Sequence, residues 1–503
     1  MLKKIQFSIL FFSILLFCNL QVVVSQDKIE LERAGSLEGA IINGQNVKKL
    51  KNNVSFRQGD TKVYCDSAYF FSEINVMEAF GHVKIVQKGT TITSEYLKYY
   101  GDTKLLHFDG NVFLKDKSMT LSTPALDYNT KTKEANYDRG GTIIDKSAKL
   151  TSDIGFYNME LKKFIFKRNV KLLDKDYDLQ TDTLIYLTDD KVAIFKGPTK
   201  IKNKEGLLNS NDGEYSTDKH TLKLKGKSQI ENNEMILVGD TVNFNQKKQE
   251  GTARGNVIIT LKKDKTIIEG DRCEYKSKTK ETKVWGNVLM KSFMEDDTLF
   301  LKSQNLFAVN DSTKKNRKLT AFPKVSFFRK DVQGKCDSLI YNLQDSILFF
   351  YKKPIIWANK SQMTGDTIKI QMVKNKIDKL FLRSSAFIIS EDSLKNHNQI
   401  KGKRVTAFFK ENKIQTVDVF GNGESLYFAT ENDTILTGMN KVICSNMLMR
   451  FKESKLNTIS FLTKPEANFI PPQELTDPTK KLKGFTWRIA EIPSKGFMLD
   501  RKL

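Results

Sequence analysis

The sequence predicts an all-β protein, one elongated, solenoid-like stack of repeats about 29 residues long. Three observations carry that reading. Phe70, Tyr99, Tyr128, Tyr157, Tyr186, Tyr215 and Phe244 follow one another at intervals of 29 residues. Within each interval apolar and polar residues alternate with period two, the strand signature. No stretch of helical periodicity long enough for a stable helix stands out beyond the N-terminus. A repeat of this kind cannot bury its apolar face alone. Stacked on its neighbours it makes one continuous β-structure whose stability is a sum of nearest-neighbour contacts.

Taken in order, the chain opens with an address. Lys3 and Lys4 precede the apolar run 5–17, which is short for a membrane span, and Val23-Val24-Ser25 offers a cleavage site. Residues 1–25 therefore read as a signal peptide. Cys18 follows Phe17, where a lipoprotein box wants a small residue. The repeat array starts near residue 30, because Asn52-Asn53-Val54 lies 29 residues before Gly81-His82-Val83. It is regular over 26–300. It continues less regularly over 301–468. After Phe244 the series itself runs on unevenly through Tyr275, Phe307, Tyr341, Ile370, Phe408 and Phe451, with widened gaps that predict loops near 391–400 and 421–440. Pro471, Pro472, Pro478 and Pro493 then mark 469–503 as a tail that cannot continue a central strand.

Other positions keep the same phase. Asp stands four residues before the column position in Asp66, Asp153, Asp182, Asp240, Asp271, Asp337 and Asp366, where it is expected to open a strand by accepting from nearby backbone N–H groups. Polar turn formers follow the aromatic. Gly81, Gly110, Gly197, Gly226 and Gly255 come eleven residues after it and mark a bend.

The formal net charge of +23 is spread along the chain and favours acidic partners or membrane surfaces without implying nucleic acid. Four histidines, His82, His107, His220 and His397, make no HxxxH or HExxH pair, so no metal site is expected. Gly226-Lys227-Ser228 lacks the first glycine of a phosphate loop, and no Gly-x-Ser-x-Gly elbow occurs. An Asp copied into many repeats is not the single special pair that catalysis needs. No catalytic residue and no cofactor are expected. Cys65, Cys273, Cys336 and Cys444 fit neither a zinc site nor a CxxC pair, and regular stacking keeps them apart, so they are expected mostly unpaired.

The Asp-x-apolar-x-Tyr strand, polar turn, apolar strand and Gly-Asn-Val bend resemble the OstA/LptA family of lipopolysaccharide-transport proteins. The closest stretch is Tyr64-Cys65-Asp66-Ser67-Ala68-Tyr69 with Ala79-Phe80-Gly81-His82-Val83, and the chain also resembles the N-terminal domain of LptD. The resemblance implies a periplasmic V-shaped β-jellyroll whose apolar groove holds the acyl chains of lipid A. It also implies end-to-end partners of the same Lpt type, including an outer-membrane LptD-like barrel. This chain departs from the family's outer-membrane member, since a membrane barrel does not fit after residue 469.

These readings together predict a periplasmic, outer-membrane-associated carrier that conducts lipopolysaccharide passively. The groove candidates are Tyr99, Tyr128, Tyr157, Tyr186 and Tyr215, with Phe108, Phe166 and Phe195 on the returning strands. Plain core stacking is the other reading of that aromatic column. The alternative function is an exported β-solenoid adhesin or scaffold with no lipid cargo.

Overall fold

The computed structural model describes residues 29–501, apart from 88, 117–118, 146–147, 205, 296, 312–315, 375, 433 and 453–454. The signal peptide expected at 1–25, with Cys18, lies outside the described residues. The chain divides into two compact units, one holding residues up to Asn233 together with Asp240–Gln249, the other Glu234–Gly239 with Glu250 to the C-terminal end. Almost everything described is antiparallel strand. Helix is confined to Pro472–Glu474, Ile489–Glu491 and Lys495–Leu499.

In the first unit each repeat is a pair of long strands, such as Thr61–Phe71 with Val76–Gln87, then Thr90–Tyr100 with Leu105–Lys115. Every one of these strands breaks near its middle. The register shifts between Tyr64 and Ser67 where the strand pairs with 76–87, and between Phe80 and Val83 where that strand pairs with the next. On the second strand of each pair the break is a two-residue bulge in which both residues take positive φ: Gly81 (70°) and His82 (43°), Gly110 (79°) and Asn111 (50°). Glycine suits the first position because a Cβ there would meet the Asp66 carboxylate at 2.4 Å as well as straining the backbone. Bulges stacked at each repeat divide the sheet into two half-sheets along a hinge line.

The hinge also inverts the in–out pattern. Cys65 and Ala68 are both buried though three residues apart, as are Ser94 and Leu97, and Thr123 and Leu126. The same chain face therefore stays interior on both sides of the bend. The two interiors meet: Tyr177, at the outer end of one half-sheet, interacts electrostatically with Tyr215, at the outer end of the other, and both are buried.

The strand ends carry a second ladder. Asn75, Lys104, Lys133, Lys162, Lys191 and His220 stand 29 residues apart, all with φ between 46° and 59°. Each carbonyl accepts from the turn of the following repeat: Gly101 N–H to Asn75, Thr130 to Lys104, Met159 to Lys133, Thr188 to Lys162, Thr217 to Lys191 and Gln246 to His220. This fixes one turn on the next without side-chain packing.

One repeat differs. Between Glu134–Tyr137 and Gly141–Asp145 the strand is interrupted rather than bulged. The ring of Tyr137 fills the gap. A Cβ at Gly141 or Gly155 would lie 2.4 Å or 2.3 Å from it, and its hydroxyl is 2.8 Å from Ser152 Oγ.

The second unit begins with the same bulged pairs and then interrupts its strands at the hinge, as in Asn316–Phe322 followed by Val325–Arg329, around Pro323 and Lys324. The ring of Phe327 from one half-sheet lies 5.5 Å from Phe350 of the other. Its last strands are long, Lys376–Glu391, His397–Lys410, Lys413–Glu431 and Ile435–Lys452. The loop expected near 391–400 is present as the turn at 392–396. The loop expected over 421–440 is not, because the added residues lengthen the strands, pairing Leu426 with Lys441 and Phe428 with Met439. Extra ladder bonds and a second buried face, described below, reward lengthening over looping.

The Asp column also differs from expectation. Asp66 does not open a strand: it sits at the hinge, five residues inside, and its carboxylate meets the side chain of the next bulge. Where the strand is interrupted the expectation holds in position, Asp153, Asp337 and Asp366 standing directly before Ile154–Asn158, Ser338–Asn342 and Thr367–Val373.

Candidate functional site

The eight aromatic candidates fall on two adjacent cross-strand rows of one half-sheet, all on its interior face. Each Tyr stands one residue before its strand ends, so pairing aligns them at the turn edge. The outer row runs Phe70, Met77, Tyr99, Leu106, Tyr128, Ala135, Tyr157, Phe164, Tyr186, Ala193, Tyr215 and Leu222, each the register partner of the next. The row nearer the hinge holds Phe108 between Leu97 and Leu126, then Phe166, Leu184, Phe195, Gly213 and Leu224. Alternation of large and small residues lets the rings interdigitate. Tyr157 stacks on Phe164 with centroids 4.0 Å apart, and Phe164 on Phe166 at 6.1 Å.

The rings are closely packed. Phe108, Phe195 and Tyr215 are each 1% exposed, whereas Tyr128 and Tyr157 are half-buried. Hydroxyls of the Tyr row point along the stack toward the turns. Tyr215 Oη donates to Gln246 Oε1 at 3.2 Å, and Tyr186 is hydrogen-bonded to Thr217. Burial pushes the Tyr128 phenol up to about 12, and it also raises Tyr157 and Tyr186. Tyr128, Tyr157 and Tyr186 thus present neutral hydroxyls over the whole physiological pH range.

Facing it, the other half-sheet contributes Val83, Ile85, Val112, Leu114, Val170, Leu172, Leu179 and Ile201. Next to the hinge this lining turns polar. Ser94, Thr123, Ser152, Thr181 and Ser210, again 29 residues apart, are buried and each donates to the carbonyl two residues on. They satisfy carbonyls that the broken ladder leaves free. This column was visible in the sequence as a constant spacing, but a buried Ser or Thr looks like a surface residue when read alone. Cys65 occupies the same position one repeat earlier, and Cys444 Sγ, 3.2 Å from the Asn446 carbonyl, makes the equivalent contact. The four described cysteines are free and buried.

On the opposite, outer face of the hinge runs a row of polar pairs. Asp66 Oδ2 is 2.7 Å from His82 Nδ1, while Asn111 Nδ2 donates to Glu95 at 2.5 Å and Asn169 Nδ2 to Asp153 at 2.8 Å. Beside it an open cleft of about 910 Å³ is lined by Ser122, Thr142, Thr151, Asp153, Asn169 and Lys171, with Arg139 held 3.5 Å from Asp109. None of the eight aromatic candidates borders it. Among the described residues no group of His, Cys, Asp and Glu is placed to hold a metal ion.

A repeat-built β-stack with a hinge line and an apolar, uncharged interior row is the class that fold and site define. Residues 26–182 match the family model described as OstA-like protein, and residues 239–376 match the model described as LptA/(LptD N-terminal domain) LPS transport protein. The chain belongs to the OstA/LptA-like family of lipopolysaccharide-transport proteins. No curated protein matches it. Among solved structures it is similar to LptH, the LptA-homologous periplasmic component of the lipopolysaccharide transport device of Pseudomonas aeruginosa, at 12% identity, over 23% of this chain and 79% of that one, with a TM-score of 0.20.

Proposed function

We propose that this chain is a non-enzymatic periplasmic carrier that holds lipopolysaccharide by its acyl chains between the half-sheets and passes it toward the outer membrane. The observation that carries the reading is the unbroken interior row from Phe70 to Leu222, taken together with membership of a transport family. Each CH₂ kept out of water is worth ~0.8 kcal/mol, so a multi-chain lipid cannot cross an aqueous gap unaided, whereas a continuous apolar lining lets it move without a covalent step. Tyr99, Tyr128, Tyr157, Tyr186 and Tyr215, with Phe108, Phe166 and Phe195, are the residues assigned to acyl contact. In this reading Lys104, Lys133 and Lys162 at the neighbouring turns supply the positive charge that headgroup phosphates need. In this scheme residues 1–25 direct export, the arrays 26–300 and 301–468 each supply apolar lining, and Lpt-type partners adjoin the chain, with an LptD-like barrel at the outer membrane.

Close packing of Phe108, Phe195 and Tyr215 supports the rival reading, a scaffold with a solid core. The two part on whether lipid enters. A photo-crosslinking residue at Tyr128 or Phe166 should capture lipopolysaccharide in living cells, and one at the turn residue Asp189 or Lys219 should not. Equal capture at both kinds of position, or capture at neither by protein shown to accumulate in the periplasm, would remove the carrier reading and leave the scaffold.

A further inference from the structure

The C-terminal residues leave the last strand, Glu466–Ile470, through Pro471 and Pro472 and then turn back across the outer face of the second unit. That face carries an unbroken cross-strand row running from Phe300 through Trp357, Gln362, Ile389 and Gln399 to Leu426. The tail follows this row in reverse. Leu482 packs at the Leu426 end, among Phe387, Ile389, Phe428 and Met439, with Phe485 and Trp487 beside it. Met498 packs at the other end, between Leu289 and Phe300.

How the tail is held matters more than where. Gln399 is fully buried and uses both atoms of its amide on tail backbone: Nε2 donates to the Lys480 carbonyl at 2.8 Å, and Oε1 accepts from Leu482 N–H at 2.8 Å. Gln362, 2% exposed, repeats this six residues on, donating to the Thr486 carbonyl at 2.8 Å and accepting from Arg488 N–H at 2.7 Å. Each glutamine thus grips the C=O of one residue and the N–H of the second after it, as the edge of a neighbouring strand would. Gln362 and Gln399 both pair with Ile389, so the clamps stand two strands, ~10 Å, apart. A third hold is Lys302, 6% exposed, whose ammonium lies 4.7 Å from the Phe497 ring centre and donates to the Phe497 and Asp500 carbonyls. Arg501 closes the end on Asp271 at 3.2 Å.

We infer that the outer face of the second unit is a binding site for a polypeptide segment, and that its resident ligand is the chain's own residues 480–501, which cross it with a turn at 483–484 and short helices at Ile489–Glu491 and Lys495–Leu499. Side chains of the body bond to the backbone of the tail, so the tail can leave or be replaced without breaking one strand pairing of the stack. Main-chain recognition at two registered clamps, with apolar anchors at Leu482 and Met498, defines the ligand class: a segment that offers a free C=O and a free N–H two residues on at each of two sites six residues apart, with large apolar residues towards its two ends. The extension of the last strands, which places Phe428 and Met439 under Leu482, belongs to the same site.

The test uses the full-length chain with a specific protease site introduced in the 476–479 turn. After cutting, the fragment should stay with the body through size exclusion, and a labelled synthetic peptide of residues 480–503 should replace it. A scrambled peptide should not compete. Gln362→Ala with Gln399→Ala should speed that exchange at least tenfold. In the uncut chain Gln399→Ala should speed hydrogen exchange of the Leu482 amide at least tenfold while the amides of Lys413–Glu431 keep their rates. Unfolding of the body on cutting, a fragment that departs and does not rebind, equal competition by the scrambled peptide, or no change in either glutamine variant would each overturn the inference.

Discussion

The Phe195 ring occupies the space that a side chain at Gly213 would need. An ideal Cβ there would stand 2.2 Å from the ring carbon Cζ and 3.0 Å from Leu224 Cδ2. The two residues are register partners across Val192–Asn203 and Gly206–Ser216, so the contact is built into the pairing. Gly213→Val should therefore destabilise the first unit by about 1–3 kcal/mol. Gly39, with nothing within 4 Å of its Cβ position, is the control, and Gly39→Ala should be neutral. Urea unfolding of the two variants measures both. Equal midpoints would show that the interior row is loose.

Phe166 and Asp189 make a second pair for comparison. Phe166 is buried on the interior row, and Phe166→Glu removes a packed ring and leaves a carboxylate without a partner, a loss of at least about 3 kcal/mol. Asp189 is exposed at a turn with Lys162 at 3.1 Å, and Asp189→Glu should change stability by less than about 0.5 kcal/mol. Thermal unfolding of purified protein separates this effect from any defect in transport.

The hinge pairs carry a pH signature. The hydrogen bond that the His82 imidazole donates to the Asp66 carboxylate, and then the carboxylate's charge, raise the imidazole above its ordinary value of 6.5. The protonated pair is favoured in the folded state, so its contribution is complete below pH ~6.5 and is lost as pH rises through the higher folded value. An NMR titration of His82 should show a midpoint above 6.5 that Asp66→Asn brings back down. His82 is wholly at the surface, so the midpoint rather than global stability is the readout.

The cysteines give a chemical test. Burial pushes the thiols of Cys65, Cys273 and Cys336 up to about 12. At pH 8 on the order of one thiol in ten thousand is ionised, so these residues should resist thiol reagents until the chain unfolds, as read site by site by mass mapping. Cys65→Ser should cost less than about 1 kcal/mol, because serine or threonine fills that position in the next repeats and bonds the hinge carbonyl. Cys273 lies instead between Ala253 and Val284 on the apolar row, and Cys273→Ser should cost about 1–3 kcal/mol.

The 29-residue spacing, the turns and the interior aromatic rows were legible in the sequence because each repeat presents the same residue types at the same phase. The hinge was legible only in part. Gly81 and its counterparts announced a bend, but the strand before Asp66 was hidden, since the bulge changes the alternation from Cys65 to Ala68 and a strict count of two cannot cross it. The hydroxyl column at Ser94 and its counterparts escaped because burial, not residue type, reveals it. The long last strands were read as loops, since widened spacing does not say whether added residues pair. Contacts of the tail were illegible, as Gln362 and Gln399 meet backbone that lies 124 and 81 residues away.

The turn ladder has a consequence for how such a chain changes length. Lys104, Lys133, Lys162 and Lys191 bond forward to equivalent atoms one repeat on, so duplicating or excising a block of 29 residues re-forms every rung with its neighbour in phase. Gaining or losing 28 or 30 would misalign turn, hinge and interior rows together. Within the first unit, then, reach is quantised: evolution or an engineer can add whole steps of two strands, ~10 Å each, while fractional steps are selected against at once.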